Sequence, residues 1–252
     1  MAINIIDVII LLLAAFVPSF IYLVWIRNTE RFAPEPYGRL LRTFAYGAVI
    51  SVVIAIAGEL IATSLFNANI QRFYDIFGKN PNLASLALAI FIAPLIEELT
   101  KSLGVFRVRR FMSDIEDGMI YGAAARLGFA ATENLLYEGS AFLTGGAQAF
   151  VITAVVRTLS SALLHASASA VVGLGIARSF REGKSWLPYY FGGVLMHGSF
   201  NLFASLGDIY SAQAEAALIG LAAAFVIAIG GISVVRSKIR ALDIESARSG
   251  RR

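Results

Sequence analysis

Seven apolar segments, each about as long as a membrane is thick, dominate this sequence. A helix needs about 20 apolar residues to span the hydrocarbon core of a bilayer, and only helices and closed barrels satisfy all their backbone hydrogen bonds there. The segments cover residues 3–26, 42–66, 83–104, 118–138, 150–177, 187–207 and 214–235. Short linkers join them. We therefore predict an all-α, polytopic membrane bundle of about seven transmembrane helices, with one domain over residues 1–240 and a basic tail over residues 241–252.

The composition agrees with a membrane protein and excludes several kinds of site. Charged residues make up only 15% of the chain and the mean hydropathy is +0.72, whereas soluble domains carry about 25% charged residues. The chain has no cysteine, which excludes disulfides, thiolate metal sites and cysteine nucleophiles. Residues 1–26 lack a basic leader and a small-residue cleavage site, so we expect a retained span there.

The basic residues mark one side of the predicted bundle. Most of the 21 lysines and arginines lie in the tail and in the linkers after the first, third and fifth segments, while the opposite linkers hold only Arg72 and Lys79. By the positive-inside rule the N-terminus is outside and the C-terminus is cytoplasmic, in a bacterial-type cell membrane. The basic residues behind the net charge of +4 therefore serve as orientation signals, and we expect the lipid bilayer rather than nucleic acid as a partner.

The third segment contains two adjacent carboxylates and an ammonium group, in the sequence Glu97-Glu98-Leu-Thr-Lys101. On a helix Lys101 follows the two acids by four and three residues, so its side chain lies between them one turn later. A charged residue at bilayer depth costs about 2.5–3.5 kcal/mol even on the lenient scale. Either the helix runs past the membrane edge into the headgroups, or the three charges form a functional site, which we favour.

Further polar residues lie in the neighbouring segments. Arg126 and Glu133 are seven apart on one helix face, and His197 and Asn201 are four apart on another. The full set of intramembrane polar residues outside the third segment is Glu59, Arg126, Glu133, Asn134, Arg157, His165, His197 and Asn201. Because unpaired charges are costly in lipid, we expect these groups to converge with the glutamate pair in one polar cavity.

These motifs, in this order, resemble those of the PrsW-type intramembrane proteases. The resemblance rests on Glu97-Glu98-x-x-Lys101, Phe129-x-x-x-Glu133-Asn134, Arg157 with His165, and His197-x-x-Phe200-Asn201. Pro34-Glu35-Pro36 is similar to the family's segment between the first two spans. The family is more distantly similar to the CAAX prenyl proteases, from which this chain departs by having Lys101 instead of an arginine one residue later and Glu133 where a histidine is expected.

The resemblance implies a multi-span protease that cuts a membrane-tethered protein, such as a membrane-bound anti-sigma factor. It implies a site made of Glu97, Glu98, Glu133, His165 and His197, with Lys101, Asn134, Arg157 and Asn201 in support.

The chemistry of these residues leads to the same reaction class. Peptide hydrolysis needs a base for water, an acid for the leaving amine and donors for the oxyanion. With no cysteine, and with serines that we assign to helix packing, water is the expected nucleophile. A metal-free glutamate protease is our preferred prediction, but a zinc site made of Glu98, Glu133, His165 and His197 stays open, although His-Glu-x-x-His is absent.

Two functions from other classes also use intramembrane charges. An ion- or proton-coupled transporter needs similar groups but usually shows paired repeats or helices broken at matching positions, which this sequence does not show clearly. A non-catalytic membrane scaffold is the other alternative, and it predicts that the polar cluster tolerates isosteric substitutions.

Overall fold

A computed structural model describes residues 4–210 and 213–249, and every regular element in these ranges is helical. The α-helices are α1 (Ile5–Arg27), α2 (Tyr37–Tyr46), α3 (Val52–Ala68), α4 (Ile70–Phe77), α5 (Pro81–Ala87), α6 (Ala93–Val108), α7 (Ile115–Val156), α8 (Ala162–Glu182), α9 (Leu187–Ala204), α10 (Leu206–Ile209) and α11 (Ala214–Arg248). Three π-helical turns, Gly47–Ser51, Leu88–Ile92 and Arg157–Ser161, join α2 to α3, α5 to α6 and α7 to α8. The predicted all-α class is confirmed.

Five helical segments are long and apolar enough to cross a membrane, by length and composition. They are Ile5–Arg27, Tyr37–Ala68, Pro81–Phe111, Ile115–Glu182 and Glu215–Arg248. The chain is therefore a multi-pass membrane protein. The count of seven crossings and the orientation of the termini stay predictions, as does the domain boundary at residue 240, which α11 runs across. Residue 3 of the first predicted span and residues 250–252 of the predicted tail lie outside the described part of the chain.

The 68-residue segment Ile115–Glu182 contains two antiparallel arms. Its backbone leaves the helical conformation at Gly146, where φ is +70° and ψ is −163°, a conformation that glycine adopts without the penalty of a side chain. On either side of this turn, Gly118 meets the carbonyl of Gly173, and Gly122 meets that of Ser169. One arm therefore runs back along the other, and the segment accounts for both predicted spans, 118–138 and 150–177.

Small residues allow these two arms to pack closely. A Cβ atom added to Gly122 would lie 2.1 Å from the backbone oxygen of Ser169, and one added to Gly118 would lie 2.3 Å from that of Gly173. The Gly118-x-x-x-Gly122 pattern therefore packs helix against helix, as such small-residue patterns do in membrane bundles. The α7–α8 pair forms the centre of the bundle, and most of its residues from Glu116 to Ala131 and from Ser160 to Ala170 are buried.

The linker between α1 and α2 is irregular, as its two prolines predict. It is held in place by Arg27, whose Nε donates to the carbonyl of Glu35 over 2.7 Å. The hydroxyl of Tyr121, from α7, donates to the carboxylate of Glu35. Burial raises the pKa of Glu35 to about 8, so this carboxyl group is mostly protonated at neutral pH. The linker is thus part of the packed structure.

Candidate active site

The glutamate pair and Lys101 lie on α6 in the arrangement that their spacing predicts. Lys101 Nζ lies 2.7 Å from Glu97 Oε2 and 3.0 Å from Glu98 Oε1. Glu98 is fully buried, whereas 11% of the Glu97 side chain is exposed. One ammonium group is therefore shared by two carboxylates that occupy different environments.

Arg126 links this pair to the next acidic residue on α7. Its Nη1 donates to Glu97 Oε2 over 3.0 Å, and its Nη2 donates to Glu133 Oε2 over 2.8 Å. Glu133 also forms an ion pair with Arg157, whose Nη2 lies 3.0 Å from Oε1, and Arg157 Nε donates to Asn134 Oδ1 over 2.8 Å. Arg126 and Glu133, seven residues apart on one helix face, thus pair with each other and also with charged groups on neighbouring helices. The three glutamates and the three basic residues of this network balance in charge, which lowers the cost of burying them.

The two histidines come from different helices and meet beside Glu98. His165 on α8 and His197 on α9 have their ring centroids 4.0 Å apart, edge to face. His197 Nδ1 lies 3.1 Å from Glu98 Oε1. Among the described residues, Nδ1 of His165 has no hydrogen-bond partner although the ring is buried. A buried imidazole nitrogen without a partner is a candidate for ligand binding.

A cavity of about 380 Å³ opens over this network. The predicted site residues that line it are Glu97, Glu133, Arg157, His165, His197 and Asn201, together with Glu59. Glu98 lies behind the histidines, in contact with His197 but outside the lining. The structure thus brings the five predicted catalytic residues into one connected region.

Asn201 and the π-helical turn Leu88–Ile92 form one wall of the cavity. The Asn201 Nδ2 atom donates to the carbonyl of Ala89 over 2.8 Å, a carbonyl within the widened turn. Such turns occur often at functional sites because they displace backbone groups from the helical ladder. Asn201 has a second amide hydrogen that this bond does not use.

Three further residues support the site: the sequence analysis named Phe129 only as part of a motif, and it did not single out Ser169 or Tyr137. Ser169 on α8 donates its hydroxyl to Glu98 Oε2 over 2.6 Å, although we had assigned the serines of this segment to packing. The ring of Phe129 lies 4.5 Å from Lys101 Nζ, and the Tyr137 ring lies 3.9 Å from the Arg157 guanidinium carbon. Aromatic faces stabilise desolvated cations. Phe129 and Tyr137 each lie four residues from Glu133, and this helical spacing is the sequence feature that could have identified them.

Glu98, His165 and His197 fit the requirements of a zinc site. Each offers one ligand atom, and these atoms all lie within 4.8 Å of one another. Two ligands bound to one zinc ion at about 2.1 Å each lie about 3.4 Å apart in a tetrahedron, so small side-chain rotations suffice. Glu133 was part of the predicted ligand set but pairs with Arg126 and Arg157 instead. The remaining three donors leave a fourth position open, as catalytic zinc sites do.

Comparison with known proteins agrees with this geometry. A family model described as PrsW family intramembrane metalloprotease matches residues 35–230. The chain belongs to the PrsW family. The resemblance inferred from the motifs is therefore confirmed, and the matched range includes every residue of the site.

Two relatives named Protease PrsW are similar to this chain. The protein from Clostridioides difficile (strain 630) is 30% identical over 131 residues, which is 50% of this chain and 50% of the relative. The protein from Halalkalibacterium halodurans is 26% identical over 196 residues, 76% of this chain and 81% of the relative. The match thus spans half the length of the first PrsW relative. No solved structure matches the chain significantly.

Proposed function

We propose that this PrsW family member is an intramembrane endopeptidase that hydrolyses a peptide bond in a membrane-tethered protein. The observation that carries the proposal is the cavity in which Glu97 and both histidines meet among helices long enough to cross a membrane. Water is the nucleophile in this proposal, because the chain has no cysteine and Ser169, the serine that contacts Glu98, donates its hydroxyl to that carboxylate.

Glu97 is the proposed general base. Lys101 and Arg126 both bind its Oε2 atom, which fixes the carboxylate and leaves Oε1 to accept a proton from water. The same oxygen then delivers the proton to the leaving amine. A positioned general base or acid of this kind contributes about 10²–10⁴-fold to a rate.

Glu98, His165 and His197 are the proposed metal ligands. These three residues would hold a zinc ion, which would supply Lewis acidity toward water and a carbonyl group. Ser169 and Lys101 orient the Glu98 carboxylate through bonds to both of its oxygens. Such outer contacts affect metal binding because they set the orientation of the ligating side chain. Our metal-free prediction is the rival mechanism, in which Glu97 and Lys101 act without the ion.

Arg157 and Asn201 are the proposed donors to the substrate. Both line the cavity, and each is held in place by a second contact, Arg157 by Asn134 and Asn201 by Ala89. Fixed donors aimed at the place where negative charge develops stabilise a tetrahedral transition state. Neither side chain needs to reorganise during the reaction.

The proposed substrate is a single-span protein, because the cavity lies among apolar helices and Glu97 lines it. A membrane-bound anti-sigma factor is the class implied by the motif resemblance. Mass spectrometry of the products would identify the substrate and its cleavage position.

The test is cleavage of candidate single-span proteins reconstituted with the purified chain in liposomes. The wild type and Glu215→Gln, a change at an exposed position of α11, should cleave equally. Glu97→Gln should be slower by about 10²–10⁴-fold while retaining the fold in circular dichroism. Equal rates for wild type and Glu97→Gln would refute the assignment of the base, and uptake of ions without cleavage would favour a transporter.

A further inference from the structure

A second cluster of carboxylates lies at the other end of α7, outside the candidate active site. Glu30 follows α1, Glu116 lies in the first turn of α7, and Asp243 lies on α11. One oxygen from each carboxylate lies within 4.8 Å of those from the other two. All three residues are buried. Glu116 precedes Arg126 by ten residues, which corresponds to about 15 Å along the helix.

The carboxylate of Glu30 is oriented into this cluster by the linker. Its Oε2 atom accepts the backbone N–H of Glu35 over 3.1 Å. Its Oε1 atom is buried and, within the described part of the chain, has no hydrogen-bond partner, while the residue as a whole is 3% exposed. A buried carboxylate oxygen without a partner is costly and points to a ligand that is bound there.

Asp243 ties the same linker to α11. Its carboxylate accepts the backbone N–H of Arg31 over 2.8 Å and, more weakly, that of Phe32 over 3.4 Å. The cluster therefore joins three elements that are distant in the sequence: the linker after α1, the start of α7 and the cytoplasmic end of α11 in the predicted orientation. A ligand bound by all three would fasten them together.

We propose that Glu30, Glu116 and Asp243 form a structural site for a hard divalent cation of the Mg²⁺ and Ca²⁺ class. Such cations take carboxylate and other oxygen ligands, at about 2.3–2.6 Å for Ca²⁺ and about 2.0–2.1 Å for Mg²⁺. Two oxygens bound to one Ca²⁺ ion therefore lie no more than about 5 Å apart, and the three carboxylate oxygens of the cluster are within this limit because they all lie within 4.8 Å of one another. With no histidine among the three, the donor set differs from that of Glu98, His165 and His197 and does not favour zinc.

Two cavities border the cluster. Glu116 lines one of about 250 Å³, and Asp243 lines another of about 240 Å³. The first also contains one arginine, Arg181, and the second contains two, Arg31 and Arg240. A bound cation, these arginines and protonation, which burial favours by raising the pKa of Glu30 to about 9, are the ways to neutralise the cluster, and direct binding measurements distinguish them.

The test is titration of the full-length protein in detergent with Mg²⁺ or Ca²⁺ alone after treatment with chelator. The protein carries His165→Ala and His197→Ala, so that the histidine donors are absent. We expect one ion per chain by calorimetry, and a rise of the unfolding midpoint by at least about 3 °C at saturation. Adding Glu30→Gln or Asp243→Asn should weaken binding at least tenfold, whereas the matched control Glu215→Gln should leave it unchanged.

A second measurement on the wild type keeps the proposal testable if those variants fail to fold. Trypsin cleaves after Arg27 and Arg31, which flank Glu30, and the cation should slow cleavage there by holding the linker to α7 and α11. No binding of either ion, binding that survives both Glu30→Gln and Asp243→Asn, or a cleavage rate unaffected by the ions would each overturn the site.

Discussion

The imidazole rings of His165 and His197 meet edge to face with their centroids 4.0 Å apart, although they belong to different helices. This contact exists because α8 and α9 pack closely: Gly193 on α9 approaches the backbone of Ala168 on α8. The same approach brings both rings to Glu98. The ligand set of the candidate site therefore depends on helix packing as well as on its own side chains.

Ser169 should raise zinc affinity because it orients the Glu98 carboxylate. Ser169→Ala removes the hydroxyl that donates to Glu98 Oε2, and loss of such an outer contact lowers metal affinity by about 10–100-fold. Zinc affinity measured against a competing chelator checks this. Ser167→Ala is the matched control on the same helix, because its hydroxyl donates to the Leu163 carbonyl instead. Equal zinc affinities for the two variants would contradict the positioning role.

Arg126 should be needed for stability as well as for catalysis. Arg126→Met removes one of the two basic partners of Glu97 and of Glu133, which then keep only Lys101 and Arg157. Breaking a buried pair from one side costs up to about 3–5 kcal/mol, and the free energy of unfolding in mixed micelles measures this loss. Adding Glu133→Gln removes one of the two carboxylate charges that lost a partner, so the double variant should lose less than the two single losses combined. Strictly additive losses would show that the pair does not couple.

Replacing Gly122 by alanine should lower the stability of the protein, whereas replacing Gly139 by alanine should raise it. A Cβ atom at Gly122 meets the Ser169 backbone oxygen at 2.1 Å, whereas at Gly139 it meets no described atom within 4 Å. Overpacking costs about 1–3 kcal/mol, and replacing a helical glycine that has open space around its Cβ position by alanine gains up to about 1 kcal/mol. Unfolding midpoints of Gly122→Ala and Gly139→Ala check both. Similar midpoints would mean that α7 and α8 are not in close contact.

The turn at Gly146 should appear in the membrane topology. Because the two arms of Ile115–Glu182 are antiparallel, residues 144 and 182 lie at opposite ends of the bundle. With the predicted orientation, a reporter fused after residue 144 is external and one fused after residue 182 is cytoplasmic. Alkaline phosphatase and green fluorescent protein fusions report the two sides. Finding both reporters on one side would contradict the seven-span prediction.

Contacts within one helix could be predicted from the sequence. The three- and four-residue spacings of Lys101 to the glutamates, and the seven-residue spacing of Arg126 to Glu133, follow from helix geometry, and the structure has both contacts. The small-residue pattern of Gly118 and Gly122 is typical of close helix packing in general, but it does not indicate which helix is contacted.

Contacts between helices could not be predicted, because one sequence does not fix which faces meet. The Ser169–Glu98 hydrogen bond joins α8 to α6, and nothing in the spacing of either residue indicates it. The ion pair between Glu133 and Arg157 could not be predicted for the same reason, because Arg157 comes from the next arm of the hairpin. The cluster of Glu30, Glu116 and Asp243 likewise depends on how α1, α7 and α11 meet.

The most direct test of the proposed mechanism is the cleavage rate measured as a function of zinc bound per chain. Protein stripped by chelator is titrated with zinc, and bound metal is counted by mass spectrometry in the same samples. We predict no cleavage without metal, a linear rise to one zinc per chain, and no stoichiometric zinc in His165→Ala. Full activity at less than about one zinc per ten chains would contradict the metal site and establish the metal-free mechanism of Glu97 and Lys101.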